Sequence, residues 1–489
     1  MPVRPTRREL LAGGAGLAAA VAVGGLDYGL AAHSAPPAPA GPTVRSYLSR
    51  TDLRPPAISV KVVSGTLSPG LLLLTPTSPS GQHGPMIVDE TGEVVWFQPL
   101  PTGETATNFQ VQTYRGEPVL TWWQGKLITG YGSGQYVVMD RSYRQLARLS
   151  GGPGDTDLHE FQLTAAGTAL STNYQQTGTL LDCVIREVDV ASGRTVLEWR
   201  ASDHVSVSES YQPRPKPGAG PWDFFHANAV AVDSDNNLLI SSRHLSTVLK
   251  VHRTTGAVIW RLGGKRGDFT VASEARFHWQ HDVRRRSDGT LSVFDNGEGA
   301  TTDEKQSRGL ILQVDEAART ATLHRQLLHP NALLVQTQGS VRELPGGASF
   351  VGWGQQPYFS EYAPDGSLRY DAQLMGGNYS YRAFRSAFEA APTDLPAVAV
   401  TRGAGGDRTR TGEMTVHVSW NGATQTARWL VRTGASADTL TAVALAHRSG
   451  FETPIAVGRQ DFVAIDALDS GNQVLGSSAT IAVSSVLQA

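Results

Sequence analysis

Apolar and polar residues alternate through most of the chain, in short runs rich in Val, Ile, Leu, Thr and Trp. Alternation with period two predicts strands, and an Asp- or Gly-centred break predicts a tight reversal into an antiparallel partner. One such hairpin recurs at "IVDETGEVVWF" (87–97), "VVMDRSYRQLARL" (137–149), "REVDVASGRTVLEW" (186–199), "LKVHRTTGAVIWRL" (249–262), "LQVDEAARTATLH" (312–324) and "SEYAPDGSLRYDA" (360–372). A second hairpin type alternates with it. Its copies are "NFQVQTYRGEPVLTWW" (108–123), "HEFQLTAAGTALSTN" (159–173), "HANAVAVDSDNNLLISSR" (226–243), "HDVRRRSDGTLSVFD" (281–295) and "GSVRELPGGASFVGW" (339–353). Two hairpins per repeat give four strands in about 50 residues, the unit of a propeller blade. Six copies of the first hairpin predict an all-β protein built on a six-bladed β-propeller over residues 41–395. The early runs "AISVKVV" and "GLLLLTP" are expected to close the ring.

The period stops after "AFEAAPTDLPAVAV". From there, "GEMTVHVSWNGATQTARWLVRTG" and "FVAIDALDSGNQVLGSSATIAV" read as short strands of a second body. Trp420 and Trp429 stand where an immunoglobulin or fibronectin III sandwich buries its aromatic residues, so residues 396–489 are expected to form such a module.

Composition changes this picture little. Lys+Arg number 42 against 44 Asp+Glu, a balance that favours no nucleic-acid partner. The amino terminus does change it. "TRRELLAGGAGLAAAVAVGGL" places paired Arg7 and Arg8 before a weakly apolar Gly/Ala stretch, as in a twin-arginine export signal. Residues 1–40 are expected to be this signal and a linker, taking the chain outside the cytoplasm; if uncleaved, the signal would anchor it in the membrane. Cys183 is the only cysteine, so no internal disulfide forms, and its apolar surroundings in "LLDCVIREVDV" predict a buried, inert thiol.

Chemistry enters with the second hairpin type. His159, His226 and His281 fall at or near one start position of the repeat, and equivalent positions in successive blades ring one mouth of the axial channel. At the far ends of these hairpins the alignment places Trp123, Asn173, Arg243, Asp295 and Trp353. Three imidazoles, a guanidinium, amides and aromatic walls make a small-molecule site. Arg243 suits an oxyanion, whose oxygens match a guanidinium fork. His244, His252, His278, His324 and His329 lack this registration and are expected to be structural or surface residues.

The segments "DLHEFQLTAAGTAL", "FFHANAVAVD", "LLISSRHLSTVLKVHRTTGAVIWRLGG", "WQHDVRRRSDGTLSVFDNG" and "GSVRELPGGASFVGWG" resemble the PAPS-independent arylsulfotransferase (arylsulfate sulfotransferase) family. The resemblance covers about residues 47 to 375, including "SRTDLRPPAISV" and "GPMIVDETGEVVWF". It implies an exported six-bladed propeller that moves a sulfuryl group from an aryl sulfate to a phenol through a sulfated histidine. By motif and order it implies His281 as nucleophile, with Arg243, His159 and His226 in the active site. Asn228 of "HAN", Asn173, Asp295, Trp123 and Trp353 are then expected to contact substrate.

The residues suit that chemistry. A neutral imidazole, with a reference pKa of about 6.5, attacks sulfur at neutral pH. A guanidinium stabilises the sulfuryl oxygens, and a second histidine carries the proton of the phenol. Neither metal nor cofactor is required. Two other classes fit the same residues: a metal-dependent propeller enzyme using the three histidines as ligands, and a non-catalytic extracellular binding or adhesion protein.

Overall fold

Asp side chains hold many of the predicted reversals. Asp89 Oδ1 accepts the backbone N–H groups of Thr91 and Glu93 at 2.9 and 3.0 Å, and Asp140, Asp288, Asp315 and Asp365 make the same kind of bond two residues ahead. Such a local bond substitutes for ladder bonds that the reversing backbone loses. Gly92 and Gly366 supply the left-handed residue in two of these turns, at φ 84° and 89°.

This computed structural model describes residues 41–488 apart from 78–79, 129, 151–154, 300–303 and 404–411. The export signal and linker expected over residues 1–40 therefore lie outside the described residues. Among the described residues no helix is long and apolar enough to cross a membrane, and the chain is nearly all-β.

Up to Ser386 the strands form antiparallel four-stranded meanders in chain order. Thr105–Tyr114, Glu117–Ile128, Tyr131–Met139 and Gln145–Leu149 form one; Asp155–Leu163, Thr168–Thr177, Leu180–Asp189 and Thr195–Arg200 form the next. A pairing of Gly134 with Thr156 joins these two into one sheet. Ala227–Val232, Leu238–Ser242, Thr247–Val251 and Val258–Gly263 follow. Next come His281–Arg285, Leu291–Asp295, Arg308–Asp315 and Thr320–Leu327, then Ser340–Glu343, Ser349–Gly352, Tyr358–Tyr362 and Leu368–Leu374. A composite meander joins the two ends: Leu71–Leu74, Met86–Val88 and Val94–Phe97 are completed by Phe384–Ser386. "GLLLLTP" thus takes part in the closure as expected, whereas Ile58–Val63 of "AISVKVV" adds to the outer edge at Leu368–Leu374.

Both faces of these sheets are buried against their neighbours. Leu238–Ser242 is buried at every position, with Leu238 and Ile240 packing toward Ile185 and Trp199, and Leu239 toward Val293 and Leu310. Full burial of one such aliphatic side chain contributes about 1.5–3 kcal/mol. The first strands of successive meanders adjoin one another. Several carry a register shift near their start, at Thr107/Gln110, Ala227/Ala229 and His281/Arg284. Asn108, His226 and Asp282 adopt left-handed φ of 56°, 53° and 58° there. Bulges of this kind re-aim side chains. They also place Asn108 and Asn228 to bond the next meander, at Leu158 O and Gln280 O, both 2.7 Å.

Beyond Ala397 two further sheets face each other. Ala397–Arg402, Glu413–Ser419 and Glu452–Gly458 lie in one; Arg428–Gly434, Thr441–His447 and Phe462–Leu468 lie in the other. Val416, Val418, Trp420, Trp429, Val431 and Ile465 fill the core between them. This body docks on outer strands of the first. The Asn421 amide bonds both N–H and C=O of Phe97 at 3.0 Å, and Tyr143 Oη donates to Gly422 O at 2.9 Å.

Candidate active site

Three histidines with different partners meet at the starts of the first strands. His159 and His226 lie ring to ring at 4.8 Å, edge to face. His159 Nδ1 donates to Asp157 Oδ2 at 2.5 Å, and that carboxylate is fixed in turn by Thr172 Oγ1 and the Gly132 N–H. His226 Nδ1 donates to Asp223 Oδ2 at 2.5 Å. His281 Nδ1 instead meets a neutral amide, Asn296 Oδ1, at 2.7 Å. The amide cannot be reversed, because Asn296 Nδ2 donates to Val335 O and Gln338 O. In the neutral form of all three rings the proton therefore sits on Nδ1 and the lone pair on Nε2.

Arg243 joins the cluster from the end of the hairpin that begins at His226. Its guanidinium lies 3.8 Å above the Trp279 ring, donates to His244 Nε2 at 3.1 Å, and reaches Gln336 O at 3.3 Å. Stacking on an indole face fixes the plane of the fork. His244 lies 4.6 Å from the His226 ring and donates from Nδ1 to Asp223 O at 2.6 Å. Tyr174 and Tyr381 complete the walls, 6.2 and 5.8 Å from the His159 ring.

Burial, then repulsion from neighbouring cations, sets the charge state. Burial pushes His226 well below the usual histidine range, followed by His159 and Arg243. His281 is lowered by burial and then by Arg243, with Asn296 opposing. Burial brings His244 down to about 3 against the pull of Asp223. Asp157 is the exception: burial would raise it, but the charge and hydrogen bonds of His159 hold it low. In the unfolded chain the three lowered rings take up a proton near pH 6.5, as histidines do at about that pH. Below it the unfolded state binds more protons, so their contribution to stability is complete above pH ~6.5 and is lost as pH falls toward the folded values. Asp223, raised by burial, opposes this as one group against three. The melting temperature is expected to drop by on the order of 5 °C between pH 7 and 4. His244→Gln should flatten that slope in a thermal-melt series.

Other residues singled out from sequence serve elsewhere. Trp123 and Trp353 are fully buried within their sheets, and their indole N–H groups are taken by Thr156 O and Ser360 Oγ. They do not face the histidines; Tyr174, Tyr381 and Trp279 stand beside them instead. Asp295 binds Arg308 and the backbone of His278 and Gly297, and burial with nearby Glu304 pushes its carboxyl up to about 7. Asn173 bonds Ser171 Oγ at 3.2 Å inside its sheet. Asn228 spends its amide N–H on the next meander, leaving Oδ1 buried without a partner. His278 pairs with Glu304, and His329 packs on Trp353 and Tyr358. His244, expected to be structural, belongs to the cluster. Asp157 and Asp223 were missed, although "DLH" and "DFFH" place each within three residues of its histidine. Asn296 and Trp279 lie beside expected site residues but carry no repeat signal. Cys183 is buried and its thiol pushed up by burial, as expected of an inert cysteine.

Propeller-like meanders here carry buried, Nε2-presenting histidines beside a stacked arginine. The family described as Arylsulfotransferase (ASST) matches residues 110–374, just over half of the chain. The chain belongs to that arylsulfotransferase family. Among curated proteins none matches it. Solved structures similar to it are distant. A Bacteroides caccae protein of unknown function is 16% identical, with 64% of this chain and 98% of that one covered and a TM-score of 0.40. Virginiamycin B lyase from Staphylococcus aureus is 11% identical over 64% and 87%, with a TM-score of 0.34. The β-propeller domain of Myceliophteria thermophila Cps50 (Swd1) is 10% identical over 65% and 97%, also with a TM-score of 0.34.

Proposed function

We propose that the protein is an exported, PAPS-independent sulfotransferase that moves a sulfuryl group from an aryl sulfate to a phenol through a sulfated His281. In this reading residues 41–395 are a six-bladed β-propeller that carries the site. Residues 396–489 are an immunoglobulin-like sandwich serving as spacer or binding module, and the twin-arginine signal takes the chain out of the cytoplasm. Membership of the arylsulfotransferase family supports the reaction class. The observation that carries the assignment of His281 as nucleophile is that a neutral amide stands behind it, where a carboxylate stands behind His159 and His226.

A carboxylate behind an imidazole stabilises its protonated form far more than a neutral amide does. His159, oriented by its 2.5 Å bond to Asp157, is placed to pass the proton. His281, backed by Asn296, stays neutral and keeps its Nε2 lone pair for attack. At rest that lone pair accepts the Gln338 N–H at 3.2 Å, a long contact that sulfur would displace. In the first half-reaction the Nε2–S bond forms as the S–O(aryl) bond breaks, and protonated His159 gives its proton to the leaving phenolate. Arg243 faces the sulfuryl oxygens as their charge grows. In the second, the acceptor phenol gives its proton to His159 as its oxygen attacks sulfur and the Nε2–S bond breaks. His226, neutral and fixed by Asp223, offers its Nε2 to the phenol hydroxyl. Tyr174 and Tyr381 flank the aryl ring.

Incubation with 4-nitrophenyl sulfate and phenol tests this. Release of 4-nitrophenol with parallel double-reciprocal lines is expected of two half-reactions; intersecting lines would rule out the covalent route. Asn296→Asp places a carboxylate behind His281 and should raise its pKa. The acid limb of kcat/KM is expected to move up by about one pH unit, with the Asn296→Ala profile moving, if at all, the other way.

A metal centre is the second reading, favoured by Asp223, His226 and His244, whose donor atoms lie within 4.8 Å of one another. Two of those donors already bond each other, so a cation would have to break the 2.5 Å contact that orients His226. Chelator-treated protein is expected to keep full transfer activity; loss restored by zinc would favour the metal.

A further inference from the structure

A cavity lies away from the histidines. It has a volume of about 520 Å³ and is lined by the far half of the Thr105–Tyr114 strand, by Glu160 and residues 162–165, and by Arg284 and Arg342. Arg284 lies three residues beyond His281 on one strand, so roughly 10 Å separates the two levels. The cavity therefore sits at the opposite end of the first strands from the histidine cluster.

A charged layer stands between the two ends. Three guanidiniums, of Arg284, Arg342 and Arg382, share the two carboxylates of Glu160 and Asp282. One buried positive charge is left over, and exposed Arg115 adds a second at the cavity rim. Arg382 binds Glu160 at 3.2 Å and Asn228 O at 2.7 Å through its two Nη groups, while its Nε only faces Asp282 at 3.6 Å. Arg342 is held less fully. Its Nη2 is 2.8 Å from Asp282 Oδ1 but out of line for a hydrogen bond, and its Nε has no acceptor. The Arg284 Nε also lacks one. Burial, then Arg284, brings the Arg342 guanidinium down to about 9, as expected of a buried cation without its full counter-charge. On the neighbouring strand Gln162 Oε1 is buried without a donor.

We infer that this cavity is a second binding site, for a small hydroxylated molecule carrying a sulfate or phosphate ester. The Arg342 and Arg284 guanidiniums that line the cavity receive the oxyanion, whose pairs of oxygens match the fork. Gln162, also in the lining, bonds a hydroxyl of the ligand body. Glu160 lines the same cavity, but Arg284 and Arg382 already cover it. The volume falls in the range of small-molecule sites, larger than an inorganic anion fills. The site is independent of the transfer chemistry proposed for the histidine end.

Titration calorimetry on the full chain tests it, with glycerol phosphate and inorganic sulfate as probes. Glycerol phosphate should bind saturably and more tightly than sulfate. Arg342→Gln should weaken both by at least about tenfold, and Gln162→Leu should weaken glycerol phosphate alone. Arg115→Gln, at the exposed rim, gives a milder loss of both if Arg342→Gln fails to fold. No heat from either probe with wild-type protein at millimolar concentration would overturn the site. So would binding that survives Arg342→Gln and Arg115→Gln yet vanishes in Arg243→Met, because the anion would then sit among the histidines.

Discussion

His281→Asn is expected to lower turnover of 4-nitrophenyl sulfate with phenol by a factor on the order of 10⁴ or more, because it removes the atom that forms the bond to sulfur. Asparagine keeps a polar group of similar reach near Asn296, so the fold should survive and far-ultraviolet circular dichroism should match the wild type. His159→Asn is expected to behave differently. The nucleophile remains, and what is lost is proton delivery, worth roughly 10²–10⁴ in rate. Aryl sulfates with better leaving groups need that proton less. Their first half-reaction should therefore recover in the His159 variant and not in the His281 variant. Stopped-flow release of the phenol over a donor series separates the two. Equal recovery in both variants would contradict the assigned roles.

Arg243→Met should cost about 10²–10³ in kcat/KM, the scale for losing one preorganised oxyanion partner, or roughly 3–4 kcal/mol. Arg243→Lys keeps the charge but loses both the fork and the planar stack on Trp279, held at 3.8 Å in the wild type. It should fall between the two. Trp279→Leu removes the platform without touching charge and is expected to raise KM more than it lowers kcat. Steady-state kinetics on the three variants checks the order. A lysine variant with wild-type kcat/KM would mean that bulk charge, and not the fork, is what the site uses.

The hairpins were legible in the sequence because each turn carries its own Asp or Gly signal and each strand its own alternation. The meeting of His159, His226 and Arg243 was legible because a repeat places equal positions at one end of the axis. Pairings between distant segments were less so. Ile58–Val63 joins the outer edge at Leu368–Leu374, and Phe384–Ser386 completes the first meander, through ladders that no local pattern encodes. Trp123 and Trp353 were misjudged for a physical reason. A large aromatic residue near a channel mouth lowers free energy as readily by filling the space between two sheets as by facing a ligand, and here each is fully buried. His244 was discounted because it falls one position past the repeat register. The backbone reversal after Arg243 turns it back under His226. Asn296 carries no signal in a single sequence. Its role appears only when its Oδ1 is found 2.7 Å from His281 Nδ1.

The central claim is that His281 Nε2 carries the sulfuryl group. Intact-mass spectrometry of the protein after brief mixing with excess 4-nitrophenyl sulfate, without acceptor, tests it most directly. Wild-type protein is expected to gain the mass of one SO3, at His281 when digested under neutral conditions, and to lose it when phenol is added. An unmodified wild-type protein that still transfers sulfate, or an adduct that persists in His281→Asn, would contradict it.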